Sequence, residues 1–142
     1  MSLDSMREAV TADFNTKLAT TSFSTIPVRY ENHPFNQPTN SDYLYIYLKH
    51  VDDLRANIGT VQRYQKHMGF IVVECFAREG TGTKALNTYM DTIAAFFEEK
   101  SVTLADGEVL TTRTAKKATN GLQFGFYRGT VLVPTIRRSC KV

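Results

Sequence analysis

The chemistry that this sequence most readily suggests lies in a glycine–threonine run, Gly80 to Lys84, between an apolar segment and an amphipathic one. A glycine-rich turn between a strand and a helix can hold a phosphate on its backbone N–H groups. A P-loop requires GxxxxGK[ST], however, and a dinucleotide site requires GxGxxG, whereas position 85 here is Ala85. We therefore predict a structural turn, in which the glycines provide positive φ angles and Thr83 caps the next helix.

The other polar side chains show no catalytic or metal-binding pattern. The histidines are scattered along the chain, at His33, His50 and His67. Neither Cys75 nor Cys140 has a His or Cys partner at metal-ligand spacing, and two cysteines suit a reducing interior. The carboxylate pairs Asp52–Asp53 and Glu98–Glu99 fall at expected element ends, where neighbours usually face solvent in different directions. We expect a protein that is not an enzyme and that uses no metal and no cofactor.

Length and composition indicate one globular domain spanning residues 1–142. Hydrophobic residues make up 42% of the chain and charged residues 22%, which is typical of a folded protein with a sizeable core. No apolar run approaches the roughly 20 residues that cross a bilayer, and the first segment is amphipathic and unlike a signal peptide. We expect no membrane association.

The net charge of +3 is too small to indicate a nucleic-acid partner by itself, but the basic residues gather in the last third. After Gly107 a single acid, Glu108, stands against Arg113, Lys116, Lys117, Arg128, Arg137, Arg138 and Lys141. This asymmetry predicts a basic surface that suits an acidic partner. The alternative is a solvated face whose neutralising acids lie elsewhere in the fold.

Two segments have the periodicity of amphipathic helices. Apolar residues recur at steps of three and four in both stripes, at Leu3, Met6, Val10, Phe14 and Leu18, and at Leu86, Met90, Ile93 and Phe97. Between them, Tyr43 to Leu48 alternates aromatic and aliphatic side chains, which predicts a strand with its tyrosines on one face. Phe70 to Ala77 is typical of a central strand, in which Glu74 is exposed or paired with an arginine.

The remaining segments are consistent with a sheet of mostly antiparallel strands. Pro27 confines a short strand to an edge, and the polar stretch from Val51 to His67 indicates a hairpin arm between two long strands. Asp106–Gly107 and Asn120–Gly121 each predict a hairpin turn. The predicted fold is α+β: a mostly antiparallel mixed β-sheet with two main helices packed on one face.

The order of these segments resembles the tail terminator (tail completion) proteins of long-tailed phages and prophages. The resemblance depends on the loop "HPFNQP" and on the strand–turn–helix block "GFIVVECFAREGTGTKALNTYMDTIAAFF", and it covers nearly the whole chain. It implies a ring, usually a hexamer, that stops polymerisation of the tail tube and presents a surface to the head connector. It also implies three partners, namely further copies of the chain, the tail-tube protein and the head–tail connector proteins. The place of action would be the virion tail, assembled in the host cytoplasm.

A ring with head-to-tail contacts needs two different patches on each chain. We predict that interface residues come from a tyrosine face and a basic hairpin, namely Tyr43, Tyr45, Tyr47, Arg113, Lys116 and Lys117. Tyrosine offers a large contact area with a polar group at its end. The basic hairpin would meet acids of a neighbour such as Asp52, Asp53, Glu98 or Glu99.

A small nucleic-acid-binding module is the alternative function. In that interpretation, Arg113, Lys116 and Lys117 would contact phosphates while aromatic residues of the next strand, Phe124, Phe126 and Tyr127, would stack on bases. Strand alternation argues against it, because Phe124 and Phe126 would share a face with Leu122 and so belong to the core.

Overall fold

The computed structural model describes residues 3–21, 23–31, 34–36, 41–55, 63–78, 80, 83–98, 100–103, 109–123 and 125–141. These residues form two helices, α1 (Leu3–Leu18) and α2 (Lys84–Phe97). They also form the strands β1 (Val28–Tyr30), β2 (Tyr43–Arg55), β3 (Arg63–Arg78), β4 (Ser101–Thr103), β5 (Val109–Thr112), β6 (Lys116–Gln123) and β7 (Phe126–Lys141). No helix in the described part of the chain is long and apolar enough to cross a membrane.

The strands form one mixed sheet in the order β1-β2-β3-β7-β5-β4, and β6 pairs with β7 as well. Only the short pairing of β1 with β2 is parallel; the other pairings of these strands are antiparallel. β1 lies at the edge, as Pro27 predicts. The long edge of β7 is shared by β6, opposite Phe126–Leu132, and by β5, opposite Thr135–Arg138. The predicted α+β class is confirmed.

The pairing of β2 with β3 continues along the predicted hairpin arm. β2 and β3 pair from Tyr43 opposite Phe76 to Arg55 opposite Gln65, with a bulge between His50 and Asp52. The predicted hairpin arm is therefore built of paired strands, and its tip, residues 56–62, lies outside the described residues. Beside the bulge the backbones approach so closely that a Cβ on Gly69 would lie 2.5 Å from the Lys49 carbonyl oxygen. Glycine is required there because it has no Cβ.

Both helices pack on the same face of the sheet. The described members of the predicted stripes are buried, while the side chain of Leu3 lies outside the described part. Beneath them, residues of the central strands have no exposure, among them Ile71, Val73, Val131 and Val133. The helices meet through Phe14 and Phe97, whose rings stack at 6.1 Å with an interplanar angle of 9°. This is the packing expected when period-two and period-3.6 apolar patterns face each other.

A buried threonine fixes the end of α2. The hydroxyl of Thr112 donates a hydrogen bond to the carbonyl of Phe97. It also accepts the N–H of Lys100 at 2.8 Å. The last carbonyls of a helix have no partner within the helix, so an outside donor such as this one satisfies an otherwise orphaned group.

One predicted hairpin turn needs correction, and the other falls outside the described residues. Asn120–Gly121 is not a hairpin turn: it lies within β6 at an irregularity of the β6–β7 pairing, where Gly121 has φ +84°. An Asn-Gly pair favours positive φ, which a bulge uses as readily as a turn. The strands reverse instead near Gly125, with φ +81°. Asp106–Gly107 is not described, although the flanking β4 and β5 pair antiparallel.

The glycine–threonine turn precedes α2, and the structure describes its two ends, Gly80 and Thr83. Gly80 has φ +84°, as predicted, while Thr81 and Gly82 lie outside the described residues. Thr83 occupies the N-cap position of α2 but makes no side-chain capping bond, so the predicted cap is wrong. Its backbone already has helical angles, φ −100° and ψ −9°, whereas a capping side chain usually comes from an extended residue.

Candidate assembly surface

The face of the sheet opposite the helices is called here the open face. Neither α1 nor α2 packs on it; both cover the other side. Strand register places the predicted tyrosines on the open face together with residues of β1, β3 and β7, among them Arg29, Val72, Glu74, Phe76, Arg128 and Leu132. Lys49 and Phe70 continue the face along the arm, and Lys116 of β6 extends it beyond β7.

Tyr43 belongs to an internal aromatic cluster at one end of the open face. It is 6% exposed. Its ring stacks on Phe76 at 4.3 Å and contacts the edge of Phe126 at 5.2 Å. Burial raises the pKa of its hydroxyl above the ordinary tyrosine value. Its ring is therefore used within the chain, and Tyr45 and Tyr47 present the accessible part of the predicted tyrosine face.

Tyr45 and Tyr47 form the centre of the accessible surface. Both are half-buried, and their rings lie 4.9 Å apart. The guanidinium of Arg29 lies 4.6 Å from the ring centre of Tyr45, a cation–π arrangement. Burial is also the main cause that raises the pKa of Tyr47. The result is a surface of rigid aromatic rings beside cations, which suits contact with a protein.

Glu74 lies in the middle of this face. Of the two environments predicted for it, exposed or paired with an arginine, the structure shows the pairing. Its Oε1 is 3.8 Å from Nη1 of Arg128, and the two side chains are 18% and 27% exposed. Because each partner neutralises the other, the pair leaves the remaining cations of the open face to set its charge.

The predicted basic hairpin does not form one patch. Lys116 pairs with Leu132 and so lies on the open face, whereas Lys117 pairs with Val131 on the helix side. Neighbouring residues of a strand point to opposite faces. Arg113 is exposed and precedes β6, with its N–H bonded to the Pro134 carbonyl at 2.9 Å.

Lys117 has a carboxylate partner in its own chain. Its Nζ lies 2.8 Å from Oδ1 of Asp91 on α2, and that hydrogen bond is the main cause that raises the lysine pKa. For this lysine the alternative interpretation of the basic segment therefore holds, in which a neutralising acid lies elsewhere in the fold. Sequence reasoning missed the pair because Asp91 and Lys117 are 26 residues apart and belong to different elements.

The acids predicted to meet the basic hairpin are only partly described. The side chains of Asp52 and Asp53 and the whole of Glu99 lie outside the described part. Glu98 is exposed at the end of α2. Its charge is a further cause that raises the pKa of Lys117, so it acts on a lysine of its own chain.

The two described aromatic residues of the alternative nucleic-acid site, Phe126 and Tyr127, lie on opposite faces of the sheet. Phe126 is 6% exposed within the aromatic cluster, and Phe124 lies outside the described residues. Tyr127 pairs with Ala77 and packs against the core on the helix side. The expectation that Phe126 shares a face with Leu122 is wrong, because Leu122 pairs with Tyr127 and is 62% exposed. The position of the hairpin turn near Gly125 causes this difference.

A cleft of about 450 Å³ lies between α1 and the β1–β2 edge. Its lining includes Arg7, Glu8, Asn15, Tyr30 and Glu31. The Tyr30 hydroxyl donates to Asn15 Oδ1 at 2.6 Å, and Glu31 Oε1 accepts the N–H of Leu48 at 2.7 Å. No sequence motif indicated this cleft, because three elements that are distant in the chain form it.

In the described part of the chain, the side chains that carry chemistry in other proteins do not come together. Within the described residues no three His, Cys, Asp or Glu side chains come together as a metal site. Cys75 has no exposure, as predicted, and burial raises the pKa of its thiol to about 12. The thiolate is the reactive form of cysteine, so we expect Cys75 to react slowly with thiol reagents at neutral pH. His33 and the side chains of His67 and Cys140 lie outside the described part.

Comparison with known proteins adds a family and a fold. The sequence model described as "Phage tail terminator protein" matches residues 5–131. One solved structure superimposes with a TM-score of 0.75 at 17% identity, covering 96% of this chain and 96% of its own. At that identity the likeness concerns the fold alone. No curated protein sequence matches this chain.

Proposed function

This chain belongs to the phage tail terminator family, and from that membership we propose that it caps the tail tube and ends its polymerisation. It is a structural protein of the phage tail and a component of the virion tail. In the proposed role it acts as one non-enzymatic domain, assembles in the host cytoplasm, and forms the surface to which head connector proteins join.

The proposed assembly is a ring of six identical subunits, the number that the resemblance implies. A ring of this kind forms through head-to-tail contacts between two different patches on each chain.

The observation that supports an assembly role is the open face. Tyr45, Tyr47 and Arg29 lie there on a sheet surface that neither described helix covers. A large surface of aromatic and cationic side chains is typical of protein contact sites. A protein that joins other structural proteins requires such a surface.

The experiment that tests this function is tube growth in vitro. The tail-tube protein is polymerised with increasing amounts of this chain, and tube length and tube ends are examined by negative-stain electron microscopy. We expect shorter tubes, with ring-shaped density at one end. A protein of similar size and charge serves as control. Unchanged lengths and bare ends at a molar excess of this chain would contradict the proposal.

A further inference from the structure

We propose that the open face binds an acidic surface of a different protein, which in the proposed function is the tail-tube protein. This inference rests on the proposed function, because it names the surface through which the chain would hold the tube. It also replaces the expectation that the tyrosine face joins neighbouring copies of the chain.

Apart from the ion pair of Glu74 and Arg128, the centre of the open face is apolar and partly accessible. Tyr45 and Tyr47 are half-buried on β2, and Phe70 of β3 lies opposite Pro134 of β7, both of them also half-buried. Met68, at the base of the arm, is 38% exposed. Apolar side chains that remain accessible across three adjacent strands form the kind of surface that gains from losing its water to a partner.

Cations border this centre on both sides. Arg29 of β1 and Lys49 of β2 are exposed on one side, and Lys116 of β6 is exposed on the other. Glu74, which lies among them, is held by Arg128 at 3.8 Å. The described part of the open face therefore carries a net positive charge. Such a border selects a partner of opposite charge and sets its orientation, while the rings supply the contact area.

The helix side of a second copy does not offer that opposite charge. Asp91 and Glu98 are exposed on α2, but both act on Lys117, which is bonded to Asp91 at 2.8 Å. Lys84 and Lys100 are exposed at the two ends of the same helix. On α1, the exposed Glu8 is adjacent to the exposed Arg7, and Asp13 is bonded to Lys17 at 2.9 Å. Among the described residues, the helix side thus has no excess of acids. Charge complementarity therefore favours a different protein over another copy of this chain.

The state of the aromatic rings favours a protein partner over a nucleic acid. Stacking on bases requires free ring faces. Here Arg29 lies over the ring of Tyr45 at 4.6 Å, and the ring of Tyr47 lies beside that of Tyr45 at 4.9 Å. The rings of Tyr43 and Phe126 are buried in the aromatic cluster, and the ring of Phe76 stacks on Tyr43 at 4.3 Å. A packed aromatic surface suits the side chains of a protein better than successive bases.

The test compares two double variants that change the same number of lysines on opposite faces of the sheet. The open-face pair, Lys49→Glu combined with Lys116→Glu, places two acids on the open face. The helix-side pair, Lys84→Glu combined with Lys117→Glu, is the matched control, because it changes the net charge by the same amount on the helix side. Each variant is sedimented with preformed tubes of the tail-tube protein over a range of concentrations and salt. Thermal unfolding of each variant confirms that it is folded.

The expected result is a difference between the two pairs. The open-face pair should raise the dissociation constant for tubes roughly tenfold or more, and the helix-side pair should change it less than twofold. Binding of the unmodified chain should weaken as salt rises, and binding of the open-face pair should depend less on salt. Equal weakening by both pairs would assign the effect to net charge alone, and no weakening by either would remove the open face from the contact. Either result overturns the inference.

A change without charge tests the apolar centre separately. Tyr47→Ala should weaken tube binding severalfold while the salt dependence stays that of the unmodified chain, since the bordering cations remain. Unchanged binding by Tyr47→Ala would show that the rings are not part of the contact and would overturn the inference as stated.

The outcomes separate this inference from the proposed function. If all variants shorten tubes like the unmodified chain, the inference is wrong and the capping function stands. If the unmodified chain neither binds nor shortens tubes, both are wrong. Ring formation is measured by native mass spectrometry in parallel, and loss of the ring in the open-face pair with unchanged tube binding would identify a second copy as the occupant. Tight binding of a single-stranded oligonucleotide that the open-face pair abolishes, again with unchanged tube binding, would identify a nucleic-acid site instead.

Discussion

The two faces of the central sheet come from the same strands and differ in almost every physical property. On the covered face, Leu44, Ile71 and Val73 have no exposure beneath two helices. On the open face, Tyr45, Tyr47 and Glu74 alternate with them and keep partial contact with solvent. Alternation along a strand thus allows a single segment to stabilise the fold with one face and to present a contact surface with the other.

The difference between the two faces indicates which property a substitution on each face should change. Substitutions on the covered face should change the free energy of unfolding, because they create cavities or clashes in a close-packed interior. Substitutions on the open face should change association and leave unfolding nearly unaffected. Buried members of the open side are exceptions that mark the boundary: Tyr43 and Phe126 are each 6% exposed, and Val72 is 2% exposed.

The largest expected effect is on the covered face, at Phe97. This ring is fully buried and stacks on Phe14, so Phe97→Ala should lower the free energy of unfolding by about 3–5 kcal/mol. Tyr47→Ala is the matched control, a large aromatic removed from the open face, with an expected cost of about 1 kcal/mol or less. Urea unfolding followed by circular dichroism measures both. Equal losses would show that the two faces do not differ in this way.

A smaller loss is expected where the backbones of β2 and β3 meet. A Cβ at Gly69 would contact the Lys49 carbonyl oxygen at 2.5 Å, and backbone cannot move aside easily. Gly69→Ala should therefore cost about 1–3 kcal/mol. Gly129→Ala is the control, because its Cβ would meet the flexible Met90 side chain, with Sδ at 2.5 Å. We expect the control to be less destabilised, and the reverse order in thermal unfolding would contradict the described register at the bulge.

The next effect is a loss of stability at high pH, which we expect Cys75 to cause. Burial raises its thiol pKa from 9.0 to about 12 in the folded chain, so the neutral thiol is favoured by folding. The stabilisation is fully present below the unfolded pKa and is lost as pH rises from about 9 to about 12. Roughly 1 kcal/mol should be lost by about pH 10. Cys75→Ala should remove this part of the slope in urea unfolding at increasing pH. An unchanged slope would show that another group causes it.

Much of the fold could be predicted because local periodicity determines it. The stripes of α1 and α2 and the alternation from Tyr43 to Leu48 each specify a buried face without any knowledge of distant residues. The opposite faces of Lys116 and Lys117 follow from the same alternation, so the sequence contained that information. What it did not contain was the position of the β6–β7 turn, because Asn120–Gly121 suits a bulge as well as a turn.

The candidate site could be predicted less completely, because it depends on contacts across long stretches of chain. Tyr43 is buried by Phe126, which reaches it only because β3 and β7 pair in a particular register. Asp91 meets Lys117 through the packing of α2 on the sheet, 26 residues away in sequence. Side-chain alternation can identify a face, but only tertiary packing decides which members of that face stay accessible.

The smallest expected effect on stability is on the open face, at Arg29, and there the effect on binding should be larger. The guanidinium lies 4.6 Å from the Tyr45 ring centre at an exposed edge strand, so Arg29→Gln should cost about 0.5 kcal/mol in urea unfolding. The same change removes a cation from the proposed contact with the tail tube. The dissociation constant for tubes, measured by sedimentation, should therefore rise severalfold and depend less steeply on salt, because fewer charges meet across the interface. Arg29→Lys keeps the charge but loses the planar stacking group, and we expect an intermediate result. A large loss of stability with unchanged tube binding would show that Arg29 behaves like a residue of the covered face. The contrast between the two faces would then not extend to β1.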